Sequence, residues 1–123
     1  MAIKIKTPKQ IEGIRKSSQL AAQCLKHLEQ FVKSGITTKE LDTIASDFMK
    51  QHNATSATIG YKGHGVQPFS GHICTSVNDV ICHGVPNDYT LKDGDILNID
   101  VTTILDGYFG DTCRMYAVGD VTD

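Results

Sequence analysis

The chain has no apolar run near the ~20 residues that a membrane-spanning helix needs. It also has no excess of positive charge and only three prolines. Its N-terminus, MAIKIKTPKQIEG, lacks the apolar core of roughly 7–15 residues that marks a secretion signal. Twelve Lys and Arg stand against 14 Asp and Glu, a net charge of −2. That balance argues against nucleic acid or an anionic membrane as a partner, because both demand a basic footprint. Three prolines beside 11 glycines exclude collagen-like and low-complexity classes. The four cysteines, Cys24, Cys74, Cys82 and Cys113, form no Cys-x-x-Cys pair. An even count is compatible with two disulfides in a secreted chain, but the missing signal favours free thiols in a reducing cytoplasm.

What is present is ordinary globular material: 123 residues, 40% hydrophobic and 21% charged. That suffices for one domain over residues 1–123 with its own core. Thr7, Pro8 and Gln10 form a capping box with proline at the first helical position. Ile11, Ile14, Ser18, Ala21, Ala22, Leu25, Leu28 and Val32 then recur at helical steps until Gly35. A second box, Thr37 with Glu40, opens a helix striped by Leu41, Ile44, Ala45, Phe48 and Met49 and ended by Asn53. Residues 54–60 read as a strand. Gly60 to Gly71 is a glycine-rich loop whose spacing does not suit phosphate, so nucleotide binding is not expected. Short strands are expected at His72–Ser76 and Val80–Cys82 around the turn residues Asn78 and Asp79. Long ones follow at Ile96–Leu105 and Tyr108–Val118, joined by Asp106-Gly107, a two-residue hairpin turn. The expected class is α+β, helices first and strands last.

The hairpin carries the chemistry. With Asp106-Gly107 as its turn, Leu105 faces Tyr108, Thr102 faces Asp111 and Asp100 faces Cys113. Alternation puts Asp100 and Thr102 on one face, where Asp111 joins them from the neighbouring strand. Leu97, Ile99 and Val101 make the core face. Two carboxylates ~6 Å apart repel by about 3 kcal/mol at an effective dielectric of 20. A strand face keeps such a pair where a cation neutralises it or one acid stays protonated. A bridging carboxylate can hold two divalent ions ~3.5–4 Å apart. Arg114 falls on the other face and is a poor neutraliser, while Asp95 and Asp106 read as structural.

Of five histidines, His27 and His52 are expected to be solvated on helices. His64 and His72 flank the glycine-rich loop, where they are placed to line a pocket. His83 follows Val80-Ile81-Cys82 and precedes Gly84-Val85-Pro86, so a rigid turn presents it at a strand's end. A neutral imidazole beside a metal pair can carry a proton or donate to a polarised carbonyl.

Three segments, ICTSVNDVICHGVP (73–86), LKDGDILNIDVTT (91–103) and DGYFGDTCR (106–114), together resemble type I methionine aminopeptidase. IKTPKQIEGIRKS (5–17) and GITTKELD (35–42) resemble the same family, so the likeness runs through the whole chain in order. Prolidases and creatinases share the aspartate pair but not the Cys-His-Gly-Val-Pro turn. The resemblance implies a cytosolic metallo-exopeptidase that removes the initiator methionine from nascent polypeptide N-termini, with a small second residue and ribosome contact as family expectations. It implies a pita-bread fold, two α/β halves about a pseudo-twofold axis with two divalent ions (Mn, Fe, Co or Zn) between them. This chain would be the N-terminal half, two helices packed on an antiparallel sheet. Asp100 would chelate metal, Asp111 would bridge, and His83 would contact the scissile peptide and assist proton transfer. Tyr61 and Cys74 would wall the methionine pocket.

The sequence departs from the family in three places. The family's remaining His and two Glu ligands lie in a second half that this chain does not carry, and His64 and His72 are not where the family keeps its own. Phe109 and Lys62 stand where the family often has His. Two readings follow: the N-terminal half of an aminopeptidase that needs completion, or a non-catalytic half-fold that binds peptides. Either should expose a sheet face and self-associate.

Overall fold

A computed structural model describes residues 2–63 and 67–123. Helix α1 spans Pro8–Glu29 and α2 spans Thr38–Gln51. Both start at the expected boxes: Thr7 Oγ1 accepts from Gln10 N–H while Gln10 accepts from Thr7 N–H, and Thr37 and Glu40 repeat the exchange. Helix α1 ends before Val32, and its buried stripe is Ser17, Leu20, Ala21, Cys24, Leu25 and Leu28. Ile11 and Ala22, expected inside, are exposed. The stripe is rotated because α1 crosses the sheet at Gly110, where a Cβ would overlap the backbone of Ser17 and Ser18.

Strand β1 is only Thr55–Ser56 and β2 is Cys74–Val77; β3 (Ile96–Leu105) and β4 (Tyr108–Ala117) form the long hairpin. The strand expected over 54–60 stops early because Ser56 Oγ accepts from Thr58 and Ile59 N–H at 2.9 and 3.4 Å, curling the chain. Val80–Cys82 forms no strand. Asn78, with φ of 53°, turns the chain out of β2 and leaves this stretch exposed.

The hairpin register is the expected one: Leu105 pairs with Tyr108, Thr102 with Asp111 and Asp100 with Cys113. Asp106 and Gly107 have φ of 51° and 81°, as a two-residue turn of this kind requires. β4 takes one edge of β3, and β1 and β2 lie one after the other along its opposite edge, all antiparallel. Helix α1 covers one face of β3 and β4, and α2 packs on α1 and β1. Their core joins Leu20, Leu25, Leu28, Leu41 and Met49 to Ile73, Leu97, Ile99, Val101 and Tyr116. His52 is exposed as expected and His27 is half-buried. His27 stacks on Phe48 from α1 and His52 lies tilted against the same ring from the end of α2, with ring centroids 4.9 and 4.3 Å away.

Candidate active site

Leu97, Ile99, Val101 and Thr103 of β3 are fully buried towards α1. Period-two alternation turns Asp100 and Thr102 to the opposite face, together with their β4 neighbours Asp111 and Cys113. Cys74 pairs with Asp100 across the other edge. Asp100 thus sits in a row between two thiols, and the Asp111–Thr102 row lies next to it. Thr102 Oγ1 donates to Asp111 Oδ1 at 3.1 Å.

Burial pushes the Asp100 carboxyl above its usual range; a hydrogen bond with Asp111 and that residue's charge push it further, and His83 partly offsets them. The Cys74 thiol is raised to about 11, first by burial and then by the charges of Asp100, Cys82, Asp111 and Asp42. Arg114 does not relieve this negative field. It points to the helix side, where Glu29 holds both guanidinium nitrogens at 3.1 and 3.0 Å. An acid pair with, among the described residues, no Lys or Arg in the cleft lining beside it suits a hard or borderline divalent cation. Among the described residues no group of three His, Cys, Asp or Glu can hold a metal ion. The pair therefore fits two ligands of such a site rather than all of them.

Over the pair lies an open cleft of ≈ 940 Å³ whose walls include Tyr61, Phe69, Cys74, His83, Ile104 and Phe109. Tyr61 and Phe69 are brought together by two backbone bonds, Gly60 N–H to Phe69 O at 2.8 Å and Phe69 N–H to Tyr61 O at 2.9 Å. Phe69 was not singled out by motif; its signal is only that it closes the glycine-rich loop. His83 is exposed, with φ of 55°.

His72 does not line this cleft. Its Nδ1 sits 2.9 Å from Asp42 Oδ2, and Asp42 Oδ1 accepts from the N–H groups of His72 and Ile73 at 2.6 and 3.0 Å. Asp42 thereby ties α2 to the start of β2, a contact 30 residues apart that no local pattern announces. Lys62 is exposed, and His64 lies outside the described residues.

The sequence model of metallopeptidase family M24 matches residues 12–123. The chain is 51% identical over 119 residues to the methionine aminopeptidase of Chlamydia trachomatis, covering 97% of itself and 40% of that protein. It superposes on the crystal structure of methionine aminopeptidase from Rickettsia prowazekii with a TM-score of 0.92 and 50% identity, covering 98% of this chain and 47% of that one. The Xaa-Pro dipeptidase of Bacillus anthracis is more distant, with a TM-score of 0.80 and 25% identity over 97% of this chain and 31% of its own. The chain thus spans less than half the length of these relatives.

Proposed function

The chain belongs to metallopeptidase family M24, and from that membership we propose that it acts in metal-assisted removal of the N-terminal methionine from nascent polypeptides in the cytoplasm. It would contribute the N-terminal half of the site. The observation that carries this reading is the convergence of Asp100 and Asp111 on one sheet face beneath a cleft that His83 lines. Asp100 and Asp111 would hold the divalent ions, Asp111 bridging. When bound, such ions lower the pKa of coordinated water and polarise a peptide carbonyl.

The chain's own residues do the rest. Tyr61, Phe69 and Cys74 wall an apolar recess that suits a thioether side chain. Cys74, with its thiol held at about 11, stays neutral and adds no charge there. His83, at the mouth of the cleft, would donate to the carbonyl of the peptide or pass a proton to its departing amine.

Titrating Mn²⁺ or Co²⁺ into the 123-residue chain with a Met-Ala peptide tests this reading, with free methionine and bound metal both measured. Wild type should bind Mn²⁺ weakly, as two carboxylates predict, and Asp111→Asn should not bind it. Slow methionine release that disappears in the variant supports catalysis by the chain as it stands. Metal binding without release assigns turnover to a longer assembly, and equal binding by both proteins refutes the site. In any active form, His83→Ala should cut kcat by roughly 10²–10⁴ and leave Mn²⁺ affinity unchanged. Loss of the metal instead would show that this role for His83 is wrong.

A further inference from the structure

His83 has no secondary structure to hold it. It lies on an exposed stretch, and its φ of 55° is uncommon for a side chain with a Cβ. Its neighbour Gly84 is gripped on both sides. Gly84 N–H donates to Ser76 Oγ at 3.1 Å, and Gly84 O accepts from Thr75 N–H at 2.8 Å. A Cβ on Gly84 would overlap the Thr75 carbonyl and press on the Ser76 Cα, so the two segments lie in direct backbone contact. Ser76 is 4% exposed, and its position opposite Asn98 belongs to the strand that also carries Cys74.

From this arrangement we infer that Ser76 is a positioning residue for His83: its hydroxyl, through the Gly84 N–H, latches the turn in the left-handed conformation that presents the imidazole to the cleft. The inference rests on the proposed role of His83 only for its consequence, since the latch itself is a statement about backbone geometry. Two hydrogen bonds hold Gly84, and only one of them has a side-chain acceptor. The Thr75 N–H bond remains when Ser76 changes, whereas the Gly84 N–H has no acceptor but Ser76 Oγ among the described residues. A part-buried N–H left without its acceptor either strains or moves, and the residue beside it in the left-handed region is the one with strain to release.

NMR on the 123-residue chain tests the latch through three proteins: wild type, Ser76→Ala and Ser76→Thr. In Ser76→Ala the Gly84 amide should exchange with solvent at least tenfold faster than in wild type, measured relative to the core amides of Ile99 and Val101. The His83 ¹³Cα shift should move away from its left-handed value. Ser76→Thr, which keeps the hydroxyl, should restore both readouts; a general loosening of the fold would move the core amides too and would not be rescued. If Ser76→Ala does not fold, Ser76→Cys, with its weaker sulfur acceptor, gives the same comparison with a smaller change. Unchanged His83 shifts and Gly84 exchange in a folded variant overturn the inference. A broken latch in Ser76→Ala together with normal turnover in His83→Ala would overturn the role of His83 and leave the latch standing.

Discussion

Asp100 shows what a binding site costs the protein that carries it. Its carboxyl is raised by burial and by Asp111, so the folded state disfavours its charge. For an acid whose folded pKa lies above the unfolded one, stability is lost as pH rises between the two values. Above the folded value the metal-free chain therefore carries the full destabilisation. Asp100→Asn should remove it and raise the unfolding free energy at pH 7 by on the order of 1 kcal/mol, the remnant of a close-range repulsion after solvent screening. Urea unfolding without added metal reads that gain. The same variant should lose the stabilisation that Mn²⁺ gives wild type, because a ligand stabilises only the state that binds it. A variant no more stable than wild type without metal would mean that the pair is already relieved by proton sharing.

At the scale of elements, Asp95 does for the start of β3 what Ser76 does for the turn at His83. It is 3% exposed and accepts from Asn78 Nδ2 at 3.0 Å, Tyr89 OH at 2.9 Å and Lys92 N–H at 3.0 Å. Burial alone would raise its carboxyl, but these hydrogen bonds and the Lys92 charge together bring it below its ordinary value. Asp95→Ala leaves three donors without an acceptor and should cost about 2–3 kcal/mol in urea unfolding at pH 7. For an acid with a lowered folded pKa the contribution is complete above the unfolded value of about 3.9 and disappears as pH falls through the folded one. The difference between wild type and Asp95→Ala should therefore narrow below about pH 4 and be constant above about pH 5. The elements divide into legible and illegible on the same physical ground. Capping boxes at Thr7 and Thr37 and the turn at Asp106-Gly107 use partners within three residues, so helix starts, hairpin register and the convergence of Asp100 with Asp111 can be read along the chain. The early end of β1, the loop at Val80–Cys82, and the parts played by Asp42, Ser76 and Asp95 depend on side chains that replace backbone pairing. Apart from the local curl at Ser56 and the bonds of Tyr89 and Lys92 to Asp95, 6 and 3 residues away, their side-chain partners lie from 8 to 31 residues away. Apolar alternation does not register such bonds, which is why Val80–Cys82 reads as a strand and His72 as a cleft residue.

On the scale of the molecule, α1 covers one sheet face, and among the described residues no helix covers the other. Ile96, Phe109 and Met115 on the open face are 40%, 57% and 53% exposed, and Ile81 beside it is 94% exposed. Among the described residues β4 has no neighbour on its outer edge. Exposed apolar side chains at both ends of this face favour association, and an open strand edge offers a row of unpaired backbone groups as a template. The net charge of −2 supplies little repulsion to oppose it. The 123-residue chain should therefore sediment at micromolar concentration as a species larger than its 13.4 kDa monomer. Met115→Lys puts a charge on that face away from the cleft walls and should shift the equilibrium towards monomer by tenfold or more in dissociation constant, without altering far-ultraviolet circular dichroism. Mn²⁺ titrated into the associated form distinguishes two arrangements. A true twofold that juxtaposes the Asp100–Asp111 pairs of two copies would make metal binding tighten as protein concentration rises, whereas edge-to-edge pairing through β4 alone would leave it unchanged. A monodisperse monomer at tens of micromolar would show that the open face is tolerated in water, and self-association would then have no part in completing the site.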